Sequence, residues 1–210
     1  MVVRDYEPST DVILETKRLI LRPWKESDAP ALFAIANDPL VGPNAGWIPH
    51  ESVEYSRTII RSIYMRRTVF AVVAKEGLVD VMGNPIPSGV PIGNVTLAMG
   101  PNKARGTKEG QAELGYWLGR NYWHLGLASE AAFELICYGF RNLNLDQIWC
   151  AYYKGNTKSR RVMKRLGFYW HHTIKSSYNP MLKISQTEYY NCFTRDDFEQ
   201  IYGSKGIIYE

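Results

Sequence analysis

The clearest chemical potential in the sequence lies in a short turn that follows an aromatic-rich strand and opens a helix. Small residues occupy this turn at Gly126, Ala128 and Ser129, where they would let a bulky anion approach the first backbone N–H groups of the helix. Those groups have no partner within the helix, and the helix dipole adds partial positive charge there. The turn is therefore a candidate phosphate site. An ordinary strand-to-helix connection, in which Gly126 only supplies an awkward backbone angle, would look the same.

The elements around this turn predict a single α/β domain. Hydrophobic periodicity and turn signals indicate a mixed sheet of about six to seven strands, flanked by about four helices. The predicted strands are residues 17–23, 68–74, 91–99, 112–118, 147–153, 168–174 and 188–194, and the predicted helices are 26–36, 52–65, 129–141 and 157–166. We expect an N-terminal extension at residues 1–14, the domain at 15–195, and a C-terminal tail at 196–210 that packs on the domain or follows it.

Composition excludes several classes of protein. A chain of 210 residues that is 45% hydrophobic can bury one sizeable core. It has no apolar run of about 18 residues and no signal-peptide pattern, so we expect a cytoplasmic protein that makes no membrane contact. Cys137, Cys150 and Cys192 are far apart and the histidines lack ligand spacing, so neither disulfides nor a metal site are expected. The net charge of +4 suits an anionic ligand or a weak nucleic-acid surface, whose basic cluster would be residues 154–165.

Four stretches occur in an order that resembles the GNAT (GCN5-related N-acetyltransferase) superfamily, and within it the ribosomal-protein N-terminal acetyltransferase (RimJ/RimL-like) branch. They are ETKRLILRPWKESDAPALF, PIGNVTL, AELGYWLGRNYWHLGLASEA and GNTKSRRVMKRLGF. The resemblance implies the GNAT fold, with parallel strands that splay apart at a cofactor site. It also implies direct transfer of an acetyl group from acetyl-CoA to a primary amine, with no metal.

The resemblance assigns cofactor contacts to the turn already described. The family pattern Gln/Arg-x-x-Gly-x-Gly/Ala falls on six consecutive residues: Trp123, His124, Leu125, Gly126, Leu127 and Ala128. The backbone amides of the last four would hold the pyrophosphate. Trp123 takes the Gln/Arg place, as is common in this branch, and His124 stands where glycine is common. His124 could donate to a phosphate or simply face solvent.

The same resemblance places pantetheine between strands 112–118 and 147–153, with main-chain contacts near Tyr116 and Leu118. An extended chain that carries amides can add to exposed strand edges in this way. Asn156 could bind a pantetheine amide or carbonyl, cap the following helix, or do both. Arg160 and Arg161 could meet phosphates or form a solvated basic helix face.

Acetyl transfer requires the amine to lose a proton and the departing thiolate to gain one. Glu113 matches a position that is often acidic in this branch, and it is the candidate base. Ser159 matches the serine suggested to protonate the leaving group or hydrogen-bond its sulfur, because Met163 occupies the usual tyrosine position and cannot donate. The other candidate donors or bases are Tyr116, Tyr152, Tyr153 and the pair His171-His172.

The acceptor stays open between a protein N-terminal amine and a small-molecule amine. Its cleft could be lined by Trp24, Trp47, Trp117 and Tyr178, with an entrance shaped by residues 77–91 and 102–111. The alternatives are a non-catalytic CoA-binding or regulatory module and, without any recognition motif in support, a nucleic-acid binder. We expect a monomer or homodimer.

Overall fold

A computed structural model describes residues 11–100 and 107–203. The chain forms a mixed sheet in the order β1-β2-β3-β4-β5-β6-β8-β7. The strands are β1 (Leu14–Glu15), β2 (Leu19–Pro23), β3 (Val69–Ala74), β4 (Pro91–Met99), β5 (Gln111–Leu118), β6 (Gln147–Tyr153), β7 (Tyr169–Asn179) and β8 (Ile184–Thr194). β3 lies inside the sheet, and its β-branched and aromatic sequence VFAVVA is buried at every position.

Helices cover both faces of the sheet. They are α1 (Ala29–Ala36), α2 (Gly42–Ala45), α3 (Val53–Ile59), α4 (Leu127–Arg141), α5 (Thr157–Leu166) and α6 (Arg195–Tyr202). One turn of π-helix, Ile60–Tyr64, continues α3. The larger core packs α4, α5 and α6 on one face, and a smaller core packs α1 and α3 on the other. We call these the α4 face and the α1 face.

The α4 and α1 faces are separated along β5 by strand alternation. Ala112, Leu114 and Leu118 are buried in the core of the α4 face, whereas Trp117 packs against the core of the α1 face. Glu113 shares the parity of Trp117 and therefore points to the α1 face. One strand thus supplies side chains to both sides of the sheet.

The neighbours β5 and β6 form the parallel pair of the described sheet, and they stay paired only at one end. Gln111 pairs with Gln147, Ala112 with Ile148 and Glu113 with Trp149. Beyond Glu113 the two strands diverge, while β5 stays paired with β4 and β6 with β8. The predicted α/β fold with splayed parallel strands is confirmed.

The predicted number of elements is too low. Within residues 11–100 and 107–203 the sheet has eight strands rather than six to seven, because Leu14–Glu15 adds a two-residue edge strand that is too short to show a period. The same residues form six α-helices rather than four. α2 has four residues and starts with Gly-Pro, which resembles a loop in sequence.

The sixth helix, α6, begins one residue before the expected tail. Thr194 caps it in a reciprocal arrangement with Asp197. Phe198 is fully buried, 5.0 Å between ring centroids from Phe140 and 6.4 Å from Phe193. Residues 1–10 and 204–210 lie outside the described part of the chain, so only residues 11–14 of the expected extension and 196–203 of the expected tail are described. Among residues 11–100 and 107–203, no helix has the length and apolar character needed to cross a bilayer.

Candidate active site

A cavity of about 1040 Å³ opens where β5 and β6 diverge. Its walls come from β4, β5, β6 and β8, from α2, and from the N-terminal ends of α4 and α5. The cavity therefore reaches from the α4 face of the sheet through the gap to the α1 face. It contains all the predicted site residues except Leu125: Glu113, Tyr116, Leu118, Trp123, His124, Gly126, Leu127, Ala128, Asn156 and Ser159.

The turn before α4 has the features of both roles expected from its sequence: a phosphate site, and a strand-to-helix connection that needs a glycine. Gly126 has a left-handed backbone (φ 77°), and so does His124 (φ 65°), a conformation that glycine adopts without strain. α4 begins at Leu127, so its first N–H groups lie at the cavity. His124 lines the cavity edge but is exposed. Leu125 does not line it, and its carbonyl points to Arg18 instead.

Trp123 fixes the turn to the sheet. Its indole Nε1 donates to the carbonyl of Leu118 at 2.8 Å, so this predicted main-chain contact already has one partner. The Lys158 ammonium lies 3.6 Å from the centroid of the Trp123 ring, a cation–π contact between α5 and the turn. Burial lowers the pKa of Lys158, with a smaller effect from Arg120. The two helix ends that border the cavity are thus linked.

Asn156 performs the predicted capping role. Its Oδ1 accepts from the backbone N–H of Ser159 at 3.1 Å. Its Nδ2 donates to the carbonyl of Asn44 in α2 at 3.3 Å. The side chain therefore connects α5 to the segment that covers the cavity on the α1 face.

Ser159 and Tyr116 face each other across the cavity wall. The two hydroxyl oxygens are 2.9 Å apart, and the Tyr116 hydroxyl also donates to the Ser159 carbonyl at 3.2 Å. Burial raises the pKa of Tyr116 well above its usual value, and the neighbouring Cys150 acts in the same direction. Met163, in the usual tyrosine position, is 2% exposed and has no proton to donate. The Tyr116–Ser159 pair supplies two hydroxyls that line the cavity.

On the α1 face, the cavity is lined by carboxylates and aromatic rings. Glu113 on β5 and Glu188 on β8 both contribute. Burial raises the pKa of Tyr153, and the carboxylates of Glu188 and Glu113 act in the same direction, which places both near its hydroxyl. Sequence reasoning missed Glu188. The available signal was that Glu188 and Tyr190 are two residues apart in the predicted strand and therefore face the same side of the sheet.

The short helix α2 and the residues after it close the α1 side. Asn179 Nδ2 donates to the Gly46 carbonyl at 2.9 Å and contacts the Tyr153 hydroxyl at 3.1 Å. The indole of Trp47 lies 5.2 Å from that of Trp117, edge to face. Both of these predicted acceptor-cleft tryptophans line the cavity.

Other candidates lie elsewhere. Trp24 is 1% exposed and donates to Asn94 Oδ1 at 2.9 Å, which makes it a core residue. Tyr178 is exposed, and His171 and His172 contact each other and Trp149; none of the three lines the cavity. Tyr152, Tyr153 and Arg161 line it, but Arg160 does not. Residues 77–91 and 107–110 do not border it, and 102–106 lie outside the described residues.

Charge is distributed unevenly along the cavity. The cations that line it, Lys158, Arg161 and Arg165, belong to α5, whereas Glu113 and Glu188 belong to the α1 side. A Cβ placed on Gly126 would lie 3.4 Å from Arg18 Nη2 and 3.9 Å from Arg165 Nη1, so two guanidinium groups flank the turn. This donor set fits a pyrophosphate. Within residues 11–100 and 107–203, no cluster of three or more His, Cys, Asp or Glu could hold a metal ion.

Comparison with known proteins agrees with this arrangement. Residues 18–169 match the family described as acetyltransferase (GNAT) domain. The uncharacterized N-acetyltransferase p20 of Bacillus licheniformis is 33% identical over 160 residues, which are 74% of this chain and 81% of that protein.

Solved structures share the fold. A GNAT-family acetyltransferase from Bacillus anthracis superposes with a TM-score of 0.71 at 20% identity, covering 88% of this chain and 99% of the other. RimJ of Mycobacterium smegmatis, solved in complex with CoA-disulfide, superposes with a TM-score of 0.67 at 18% identity, covering 91% of each chain. The expected GNAT fold, including its likeness to the RimJ branch, is confirmed. The chain belongs to the GNAT superfamily and is an N-acetyltransferase of that family.

Proposed function

We propose that this enzyme transfers an acetyl group from acetyl-CoA directly to a primary amine that enters from the α1 face. The observation that carries the proposal is the single cavity that joins the cationic ends of α4 and α5 to a carboxylate-lined half through the gap between β5 and β6. Such a passage lets two substrates meet at the gap while each is bound on its own side of the sheet.

The α4 face supplies the donor site. Backbone N–H groups at Gly126, Leu127 and Ala128 bind the pyrophosphate, aided by the positive end of the α4 dipole. The edge of β5 beyond Glu113, where β6 has turned away, receives pantetheine as an added strand. The cations of α5 attract the phosphates over a longer range.

The α1 face supplies the acceptor site. Two glutamates favour a positively charged ammonium there, and the indoles of Trp47 and Trp117 add apolar and cation–π contact. Glu113 then takes a proton from the amine, directly or through a water molecule. Both a peptide N-terminus and a small amine carry the required group.

The hydroxyl of Ser159 stabilises the departing sulfur. The backbone N–H of Ser159 donates to Asn156, and the carbonyl and hydroxyl of Ser159 are hydrogen-bonded to Tyr116. Three contacts therefore fix the position of Ser159. Attack by the amine on the thioester requires no enzyme nucleophile, and none is needed from the buried cysteines.

The test is acetyl-CoA turnover with peptide N-termini, amino sugars and polyamines as acceptors. Two readouts monitor it: release of the CoA thiol and the mass of the acetylated product. Equal amounts of thiol and acetylated amine would support the proposal. Tight CoA binding without transfer to any amine would favour the non-catalytic module instead.

A further inference from the structure

Arg18, on the segment that enters β2, is held against the turn before α4. Its Nε lies 2.6 Å from Glu130 Oε2, and its Nη1 donates to the carbonyl of Leu125 at 2.8 Å. The other oxygen of Glu130 accepts from the backbone N–H of Arg18 at 2.8 Å and from Thr16 Oγ1 at 2.5 Å. The Glu130 side chain is 9% exposed and that of Arg18 is 34% exposed, so the carboxylate of this ion pair is largely shielded from water.

The bond to Leu125 fixes the direction of one peptide group in the turn. In a planar trans peptide the C=O and the following N–H point in opposite directions. Since the Leu125 oxygen faces Arg18, the N–H of Gly126 faces away from Arg18, and Gly126 lines the cavity. The φ of Gly126, which is left-handed at 77°, is one of the two angles that set this peptide plane. A rotated plane would present an oxygen, which repels phosphate, where a donor is needed.

Arg18 also corrects an unfavourable charge. Glu130 lies in the first turn of α4, where a carboxylate stabilises the helix but would repel an anion at the same helix end. The ion pair with Arg18 cancels that charge. The remaining Nη2 lies 3.4 Å from the Cβ position of Gly126, so positive charge faces the turn.

We infer that Arg18 is a positioning residue for the pyrophosphate site: it turns the Leu125 carbonyl away from the anion, exposes the Gly126 N–H to it, and neutralises Glu130. This inference rests on the proposed function, which places the pyrophosphate at this turn. It predicts that Arg18 matters for donors that carry phosphates and not for donors that lack them.

A purely structural tie between β2 and α4 would behave differently. Loss of such a tie would weaken the whole domain and reduce the use of every acetyl donor by a similar factor. S-acetylpantetheine has the thioester and the amide chain of acetyl-CoA but no pyrophosphate. The ratio of kcat/KM values for the two donors therefore separates positioning from stability.

Arg22, four residues farther along and within β2, offers a matched control. It forms an ion pair with Asp28 at 2.7 Å, with both side chains largely buried, and it does not line the cavity. Arg18→Lys keeps the positive charge but loses the guanidinium group that contacts Glu130 and Leu125 together. Arg18→Gln loses both the charge and the guanidinium group. Arg22→Lys should lower the melting temperature without changing the donor ratio.

The expected result is a Kd for CoA, measured by calorimetry, that rises about ten- to hundredfold in Arg18→Gln and less in Arg18→Lys, the range for one hydrogen bond to a charged group. The kcat/KM for acetyl-CoA should fall in parallel while that for S-acetylpantetheine stays within about twofold. Adding Glu130→Gln to Arg18→Gln should recover part of the affinity, because the uncompensated carboxylate is removed.

Equal losses with both donors, or an unchanged Kd for CoA in Arg18→Gln, would overturn the inference. Calorimetry with CoA requires no turnover, so the two proposals fail separately. An enzyme that binds CoA but acetylates no amine contradicts the proposed function, and the calorimetric Kd for CoA in Arg18→Gln, set against that in Arg22→Lys, still tests the inference.

Discussion

Tyr116 on β5 and Ser159 on α5 are joined by hydroxyl oxygens 2.9 Å apart, although 43 residues separate them in sequence. β5 and β6 no longer pair beyond Glu113, and Tyr116 lies beyond that point. The Tyr116–Ser159 pair therefore connects the unpaired part of β5 to α5, the helix that follows β6. Tyr116 keeps its proton because burial raises its pKa. When Tyr116 donates its single proton to Ser159 Oγ rather than to the Ser159 carbonyl, the proton of Ser159 is available to a sulfur in the gap.

Replacing Ser159 with alanine should reduce kcat about a hundredfold, the lower end of the range for a single proton donor, and leave the Kd for CoA nearly unchanged. Tyr116→Phe should cause a smaller loss, and the double variant should lose less than the product of the two single losses, since both act through one hydrogen bond. Single-turnover kinetics with saturating acetyl-CoA would measure these effects. Wild-type turnover in Ser159→Ala would remove this residue from the mechanism.

Glu113→Gln should lower kcat/KM for the amine about a hundredfold or more near pH 7, because the amine is then protonated and no base receives its proton. The deficit should shrink as the pH approaches the pKa of the free amine, about 8 for a peptide N-terminus and about 10 for an alkyl amine, where deprotonation needs no help. A pH–rate profile from pH 6 to 10 checks this. Glu188→Gln is the matched control: it should raise KM for the amine and keep the wild-type pH profile. A deficit in Glu113→Gln that is constant with pH argues against a base.

Gly126→Asp should abolish measurable CoA binding, because a carboxylate would then occupy the anion site. The substitution also strains a left-handed backbone, so Gly77→Asp serves as the control. Gly77 has a similar φ of 83°, with open space around its Cβ position and no place in the cavity wall. We expect both variants to lose a similar small amount of stability, with CoA binding lost only in the first. Unchanged affinity in Gly126→Asp would contradict the pyrophosphate assignment.

His50 should make the domain less stable in mild acid. Burial lowers the pKa of His50 to about 4, and its Nδ1 lies 2.8 Å from Ser56 Oγ, beneath Trp47. Between the ordinary histidine pKa of about 6.5 and pH 4, His50 is protonated in the unfolded chain and neutral in the folded one. The free energy of unfolding therefore falls from pH 6.5 to pH 4 and then levels off. The contribution should be about 1–3 kcal/mol.

Urea unfolding at several pH values would measure this slope. His50→Asn should flatten it between pH 6.5 and pH 4, even if its overall stability is lower. An unchanged slope would assign the acid sensitivity to other groups.

The sequence predicted the part of the site that depends on local pattern. The turn from Trp123 to Ala128 and the cap at Asn156 use residue types with strong local preferences, and both occur where expected. Contacts between distant segments were not predictable in this way. Arg18 reaches Leu125 across 107 residues, and Asn179 reaches Gly46 across 133. These contacts depend on how the sheet twists and on which face each strand presents.

Tertiary burial also changed the assignment of aromatic residues. Trp24, Trp47 and Trp117 are the same residue type, so type alone does not separate their roles. Trp24 lies in the core and donates to Asn94, whereas the other two line the cavity. Burial depends on the neighbouring elements α1 and α2, and a residue type does not encode it. The same reason explains why Glu188 was missed, since only the pairing of β8 with β6 brings it beside Tyr153.

The most direct test of the central claim is a transfer assay with acetyl-CoA and the panel of amines, in which released CoA thiol and acetylated product are counted together. We expect one acetylated amine per thiol for at least one amine class, and a loss of that transfer in Glu113→Gln at pH 7 despite wild-type CoA binding. CoA binding with no acetylated product from any amine would contradict the proposed acetyl transfer.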